Sequence, residues 1–339
     1  MNELQNYYGV SGREDSICSF LYERLSPLSD DTVKDSMGNL HFYKKGTGKS
    51  AKKAAVIAYM DEPGIIVTRI TEDGYLKFET IGHLTPAGLI SKKVILNGIR
   101  GIISLKAVHL TSKQERSIPV KLSQLFIDIG ASSRKEAEDF VQIGDHGALE
   151  EDGRTFGDGY IKGHALGSRA GCVIAENVLR QRYPFDLHVI ITVQREVGCR
   201  GIQTASWKLS ADRVIILDAE TAQSYDKVSE KFPELGKGAV ILTASGSGLV
   251  NPRLIQPVIN KAEERQLKYQ LFASKDKGQE EVLYQRGYGD KTLTFCIPVR
   301  YKDTACQVAH MDDIDTMKNL TQIALMQIVS EEVANDTDK

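Results

Sequence analysis

Val189 to Val193 is a run of five apolar or β-branched residues that breaks at once into Gln194-Arg195-Glu196. Such a run predicts a strand buried on both faces that stops at a polar rim. Ala54–Met60 repeats the pattern and stops on Asp61-Glu62-Pro63-Gly64, and Arg213–Leu217 stops on Asp218. Helical spacing lies between these strands. Ser11–Leu25 puts Ile17, Phe20, Leu21 and Leu25 on one face, with Ser11 as a cap. Arg169–Gln181, Gly201–Ser206 and Pro252–Gln266 are further predicted helices. The last helix, capped by Asp312 or Asp313, carries the stripe Ile314, Met317, Leu320, Ala324 and Ile328. Strands at Ala239–Thr243, Tyr269–Ala273 and Thr292–Ile297 alternate with these helices from about Tyr160 onward, which is α/β order.

Between the first and second halves of that pattern the period changes. Gly64–Ile70, Tyr75–Ile81, Lys92–Leu96 and Arg100–Val108 are short β-rich pieces separated by turns such as Glu72-Asp73-Gly74 and Asn97-Gly98. Closely spaced short strands of this kind predict a small antiparallel barrel. Residues 1–64 plus 156–339 are therefore assigned to an α/β domain, and 65–155 to an inserted β-barrel-like domain.

Composition narrows the class. The 339 residues are 41% hydrophobic and 26% charged with a net charge of −2, the profile of a water-soluble chain without a basic nucleic-acid face. No apolar run is long enough for a membrane helix, and MNELQNYYG has neither the basic start nor the apolar core of a signal peptide, so a cytoplasmic location is expected. Cys18, Cys172, Cys199, Cys296 and Cys306 are odd in number and widely spaced, which predicts reduced thiols rather than a disulfide framework. Gly46-Thr47-Gly48-Lys49-Ser50 invites a phosphate-loop reading, but position 43 is Tyr43 and a strand follows, so the segment is a turn.

Ligands of open α/β sheets sit beyond the carboxyl ends of the strands, which makes Arg195, Glu196 and Asp218 candidates for a site. Arg195 and Glu196 read equally well as a solvated ion pair at a strand end.

The strings AYMDEPG, FIDIGASSRKEAE, HALGSRAGC, ITVQREVGCRG, IILDAE, LGKGA and IPVRYKD occur in that order. Together they resemble the glutamyl aminopeptidase and tetrahedral aminopeptidase family of dinuclear zinc peptidases. The resemblance implies a mixed sheet flanked by helices, an inserted β-barrel domain, zinc or cobalt as cofactor, and dimers that build larger shells. It also implies five metal ligands and a general base, and this chain departs from that pattern at most of them. A His-x-Asp is expected where Tyr59-Met60-Asp61 stands, leaving the orienting Asp61 without its ligand. A phenol must lose a proton near pH 10 before it ligates, so Tyr59 replaces an imidazole poorly. A bridging Asp is expected at Gly167, which has no side chain. Arg195 stands at the general-base position ahead of the ligand carboxylate Glu196. A guanidinium accepts no proton. At about 4 Å it also opposes a divalent ion by roughly 8 kcal/mol at an effective dielectric near 20. Asp218 matches a ligand, and Asp303 stands where a His is expected, with the alternative that it is a solvated loop residue beside Lys302.

On this reading Glu196, Asp218 and Asp303 are the only positions to which a metal could bind, and none is expected at full occupancy. The expected product is a homologue without peptidase activity, a pseudoenzyme whose cleft is closed by salt bridges or takes a small peptide-like or anionic ligand on Arg195 and Arg169. Two alternatives stay open: a single-metal hydrolase using Glu196, Asp218 and Asp303, and an assembly or regulatory subunit of a peptidase-like shell. A homo-oligomer is expected, and neither nucleic acid nor a membrane is an expected partner.

Overall fold

The computed structural model describes residues 1–339 apart from 2, 49, 51, 108–116, 224–231, 247, 277, 286–290 and 338–339. The first three strands are β1 Asp31–Lys34, β2 Leu40–Lys44 and β3 Lys53–Tyr59. Six more follow, β4 Gly64–Ile70, β5 Leu76–Ile81, β6 Lys93–Leu96, β7 Ile99–Leu105, β8 Leu125–Asp128 and β9 His146–Leu149, and these close into a barrel. The strand expected over Arg100–Val108 stops at Leu105, and Val108 itself lies outside the described residues. The turns Glu72-Asp73-Gly74 and Asn97-Gly98 made β4 to β7 legible, the four-residue β6 among them; β8 and β9 are as short, and no such turn joins either to another strand of the barrel. Ile65, Leu76, Val94, Leu96, Ile103 and Ile127 fill the barrel interior.

A small sheet comes next, from β10 Arg154–Phe156 and β11 Tyr160–Gly163. The chain then returns to the large sheet through β12 Asp186–Thr192, β13 Arg213–Thr221, β14 Ala239–Ser245, β15 Gly248–Leu249, β16 Tyr269–Ser274 and β17 Thr292–Val299, before β18 Gln307–His310 joins β11. The order across the large sheet is β1-β2-β12-β3-β13-β17-β14-β15, with β16 paired to β14. Strands β12, β3, β13 and β17 run parallel, so their carboxyl ends meet at one rim, while β2 and β14 pair antiparallel at their flanks. The sheet is therefore mixed, with helices on its faces, as expected.

Val189, Ile190 and Ile191 have no exposed surface, and each buried aliphatic side chain of this kind stabilises the fold by about 1.5–3 kcal/mol. The helix Leu166–Leu179 lies against β3 and β13, close enough that a Cβ at Gly171 would sit 3.1 Å from the Ala58 Cβ. The last helix, Met311–Thr337, buries the predicted stripe, and Asp313 uses its carboxylate on the Gly236 and Gly238 N–H groups. Asp313 thus ties the helix to the loop before β14.

The turn between β1 and β2 belongs to a polar network at the sheet edge. Asp35 Oδ1 accepts from the N–H of Met37, Gly38 and Asn39, and Asp35 Oδ2 meets His41 Nε2 at 3.3 Å. His41 Nδ1 lies 3.2 Å from His188 Nε2. Burial, and then the facing His41, bring the His188 pKa down from 6.5 to about 4. His188 is thus neutral in the fold, while the unfolded chain takes up a proton there at a higher pH. Stability is lost as pH falls from about 6.5 through about 4, by up to about 3 kcal/mol. His188→Gln is expected to flatten that limb of the stability-against-pH curve, read by urea denaturation at pH 7 and pH 4.5; an unchanged limb contradicts the assignment.

Candidate functional site

The register between β3 and β13 pairs Ile57 with Ile216, so Tyr59 and Asp218 come level two residues further on. Asp218 is not at a strand end as the sequence suggested; β13 continues to Thr221 and the carboxylate projects from inside the strand. Beyond β12 the chain turns sharply at Gln194, which has φ +54°, and this turn delivers Arg195 and Glu196 to the same rim. The loop after β17 holds Tyr301 and Asp303 at φ +58° and +64°. Left-handed backbone at non-glycine residues is costly and gathers where the surroundings force it, commonly at sites.

Arg195 organises what these elements bring together. Its Nη2 donates to both oxygens of Asp218 at 3.0 and 3.1 Å, and its Nη1 donates to Glu196 Oε1 at 3.1 Å. The guanidinium lies 5.0 Å from the centre of the Tyr59 ring. Side-chain exposure is 13% for Arg195, 8% for Glu196 and 5% for Asp218, so this is a buried ion-pair cluster and not the solvated pair that was the alternative reading. Burial works against the charge on Arg195, but Asp218 and then Glu196 outweigh it and hold its pKa well above the ordinary guanidinium value.

The neighbours complete the packing. Asp61 is fully buried; its Oδ2 accepts from the Glu196 N–H at 3.0 Å and from the Ser11 hydroxyl, and burial followed by the nearby Glu196 push its carboxyl up to about 7. Ser11, expected as a helix cap, is instead drawn to this carboxyl, and the helix starts four residues later at Asp15. Burial, then Asp218, raise the Tyr59 phenol well above its usual value, so it stays protonated. An ideal Cβ at Gly167 would lie 2.5 Å from the Ala219 Cβ and 2.8 Å from Tyr59 Oη. The tyrosine hydroxyl therefore occupies the ground that a side chain at position 167 would need. On the barrel side, Gly82 at φ +77° presses so near that a Cβ there would meet the Glu196 Cβ at 3.0 Å.

Lys302 was missed in the sequence. Burial and Arg195 disfavour its charge, yet Asp218, Glu220 and Asp276 raise its pKa, and its ammonium reaches Asp276 at 3.3 Å. It lies within the IPVRYKD string, and no residue near it in the chain marks it as part of the cluster. Asp303 does face the cluster: it lines the same enclosed space as Tyr59, Asp61, Gly167, Arg195 and Glu196. That space is ≈ 20 Å³. It has room for about one water molecule and none for a peptide. A wider recess of ≈ 370 Å³ touches Arg195 and Glu196 from the side of His83 and Gln203.

Two ligand candidates change their meaning. Arg169 is fully buried; it donates to the Met60, Tyr7 and Ser168 oxygens and pairs with Glu62 Oε2 at 3.1 Å. Glu62 Oε1 in turn accepts from Gly9 N–H, so Arg169 locks the N-terminal arm to the end of β3 and cannot meet a ligand. The other candidate, Arg195, has both terminal nitrogens committed, and its Nε is buried without a partner, which leaves an incoming anion little to bind.

A pair of divalent ions does not fit these donors. Both Asp218 oxygens and one Glu196 oxygen are engaged by a permanent cation, position 167 offers no bridge, and the Tyr59 phenol is protonated. Among the described residues, no three His, Cys, Asp or Glu side chains gather as a metal-holding group.

Comparison with known proteins places this geometry in context. The family described as M42 glutamyl aminopeptidase matches residues 38–320. A putative aminopeptidase of Acetivibrio thermocellus is 31% identical over 324 residues, covering 94% of this chain and 96% of that protein. The solved aminopeptidase of the archaeon Desulfurococcus kamchatkensis superposes with a TM-score of 0.89 at 28% identity, over 96% of this chain and 92% of that one. The fold is shared as well with a Pyrococcus horikoshii peptidase that can assemble into a tetrahedron or a large octahedral shell, at 23% identity and a TM-score of 0.84 over 95% and 97% of the two chains.

Proposed function

We propose that this chain, which belongs to the M42 glutamyl aminopeptidase family, has left metal-dependent peptide hydrolysis and keeps the fold with its cleft closed by an internal cation. One observation carries the reading: the Arg195 guanidinium chelates both oxygens of Asp218 and one of Glu196, the two carboxylates that the family pattern would give to metal. A guanidinium held in this way neutralises the carboxylates without leaving an electron pair to activate water. Hydrolysis by this family's route needs a base beside the attacking water, and the position that would supply it is the cation. A single metal on Glu196, Asp218 and Asp303 would have to displace Arg195 into a low-dielectric surrounding, which is unfavourable.

A self-associating chain is supported by a neighbour of the same fold that can assemble into a tetrahedron or a large octahedral shell. Such a role needs the scaffold and its outer surfaces and makes no use of the cleft.

Protein purified without chelator is expected to carry zinc and cobalt far below one ion per chain, and to release no chromophore from aminoacyl anilides. Metal analysis by plasma mass spectrometry checks the first. Stoichiometric metal retained through gel filtration would overturn the proposal.

A further inference from the structure

The loop between β17 and β18 has two sides. Lys302 and Asp303 turn into the ion-pair cluster, whereas Tyr301 and Thr304 line a separate groove of ≈ 540 Å³ bounded by the helix Pro86–Leu89 and the small sheet of β10, β11 and β18. The groove is within the size range of small-molecule sites, and it lies between the helix Pro86–Leu89 on the barrel side and the small sheet. Its walls are apolar, from Ile90, Phe156, Tyr301 and Val308. Phe156 and Tyr301 are 47% and 50% exposed, large ring surfaces left open to solvent. Tyr301 is held outward in the left-handed region, a conformation that a bulky residue enters only under constraint.

Two lysines, Lys92 and Lys162, also line the groove. Lys162 is committed to Glu151. Lys92 lines the groove and has no carboxylate partner among the described residues; at Cys306, burial and then Glu151 raise the thiol, and Lys162 and Lys92 work against them. An apolar trough with one uncommitted cation selects for a ligand that is apolar at one end and anionic at the other. A phosphate would leave the rings uncovered, and an amine would face two lysines.

We propose that this groove binds a small apolar carboxylate, an aromatic or branched-chain acid, with its hydrocarbon end between Phe156 and Tyr301 and its carboxylate on Lys92. The site shares no side chain with the ion-pair cluster, so it stands whether or not the cleft is catalytically silent. Through Tyr301 a ligand would stiffen the loop whose next two residues face the cluster.

Calorimetric titration of the full chain with hydrocinnamate, and in parallel with the neutral hydrocinnamide, tests this. Saturable binding at one site per chain is expected, weakened roughly tenfold or more for the amide and in Lys92→Gln, and weakened likewise in Phe156→Ala. Both variants alter exposed or half-exposed groups, and thermal melting checks that they fold. No saturable binding, equal affinity for acid and amide, or full affinity in Lys92→Gln would each overturn the proposal. So would a fall in oligomer size of Phe156→Ala with no hydrocinnamate binding by the unmodified chain, since the groove would then be a contact between copies.

Discussion

Arg195→Ala is expected to destabilise the protein by about 3–5 kcal/mol, the range for removing one partner of a buried ion pair. Among the described residues no other cation is paired with Asp218 or Glu196. Asp218 and Glu196 are 5% and 8% exposed, and the other nearby cation, Lys302, is already directed to Asp276. Truncation leaves the two carboxylates with no cation between them. Arg195→Lys should recover part of the loss, because an ammonium keeps the charge but cannot present a planar fork to three oxygens at once. The triple variant Arg195→Met, Glu196→Gln, Asp218→Asn should lie much closer to the unmodified protein than Arg195→Ala, since it removes charge from all three partners together. Urea denaturation measures the series. A loss below about 1 kcal/mol for Arg195→Ala would mean the cluster behaves as a solvated surface pair, and the account of a sealed cleft would fail.

The sequence carried the scaffold well and the cluster only in part, for physical reasons that differ by residue. Val189–Val193 and Ala54–Met60 are buried on both faces, so their composition alone marks them as interior strands. The rim followed, because parallel strands deliver their ends to one side. Asp218 was placed too near an end: Ala219 is small and Glu220 is charged, yet β13 runs on through both as a buried strand. Arg169 could not be told from Arg195 by residue type. Each is an arginine next to the sheet's polar edge, and only packing shows that one faces Glu62 and the N-terminal arm while the other faces Asp218. Ser11 met a carboxyl fifty residues away instead of the helix start, a long-range contact that no local pattern encodes. Lys302 likewise acquires its meaning from Asp218, Glu220 and Asp276, which lie far from it in the chain.

Restoring the family's ligand types is expected to succeed only with a fifth change that the sequence does not suggest. Tyr59→His, Gly167→Asp, Arg195→Glu and Asp303→His together supply the missing donors and the base. Tyr59→His also clears the hydroxyl that stands 2.8 Å from the place of a Cβ at position 167. The 2.5 Å approach to the Ala219 Cβ remains, and a methyl group fixed on a buried strand cannot swing aside. Overpacking of this kind costs about 1–3 kcal/mol, and here it would fall directly on the residue that has to bridge the ions. Adding Ala219→Gly removes the contact at about 1 kcal/mol of strand stability. The five-residue variant should therefore bind two zinc or cobalt ions per chain, with the four-residue variant binding less and melting lower. Gly167→Asp alone should be more destabilising than in the Tyr59→His background, a coupling that a double-mutant cycle reads without reference to metal. If the four-residue variant already binds two ions as tightly as the five, Ala219 yields more easily than its place in β13 allows. If neither binds any, the matching of Tyr59, Gly167, Arg195 and Asp303 to ligand and base positions is itself mistaken.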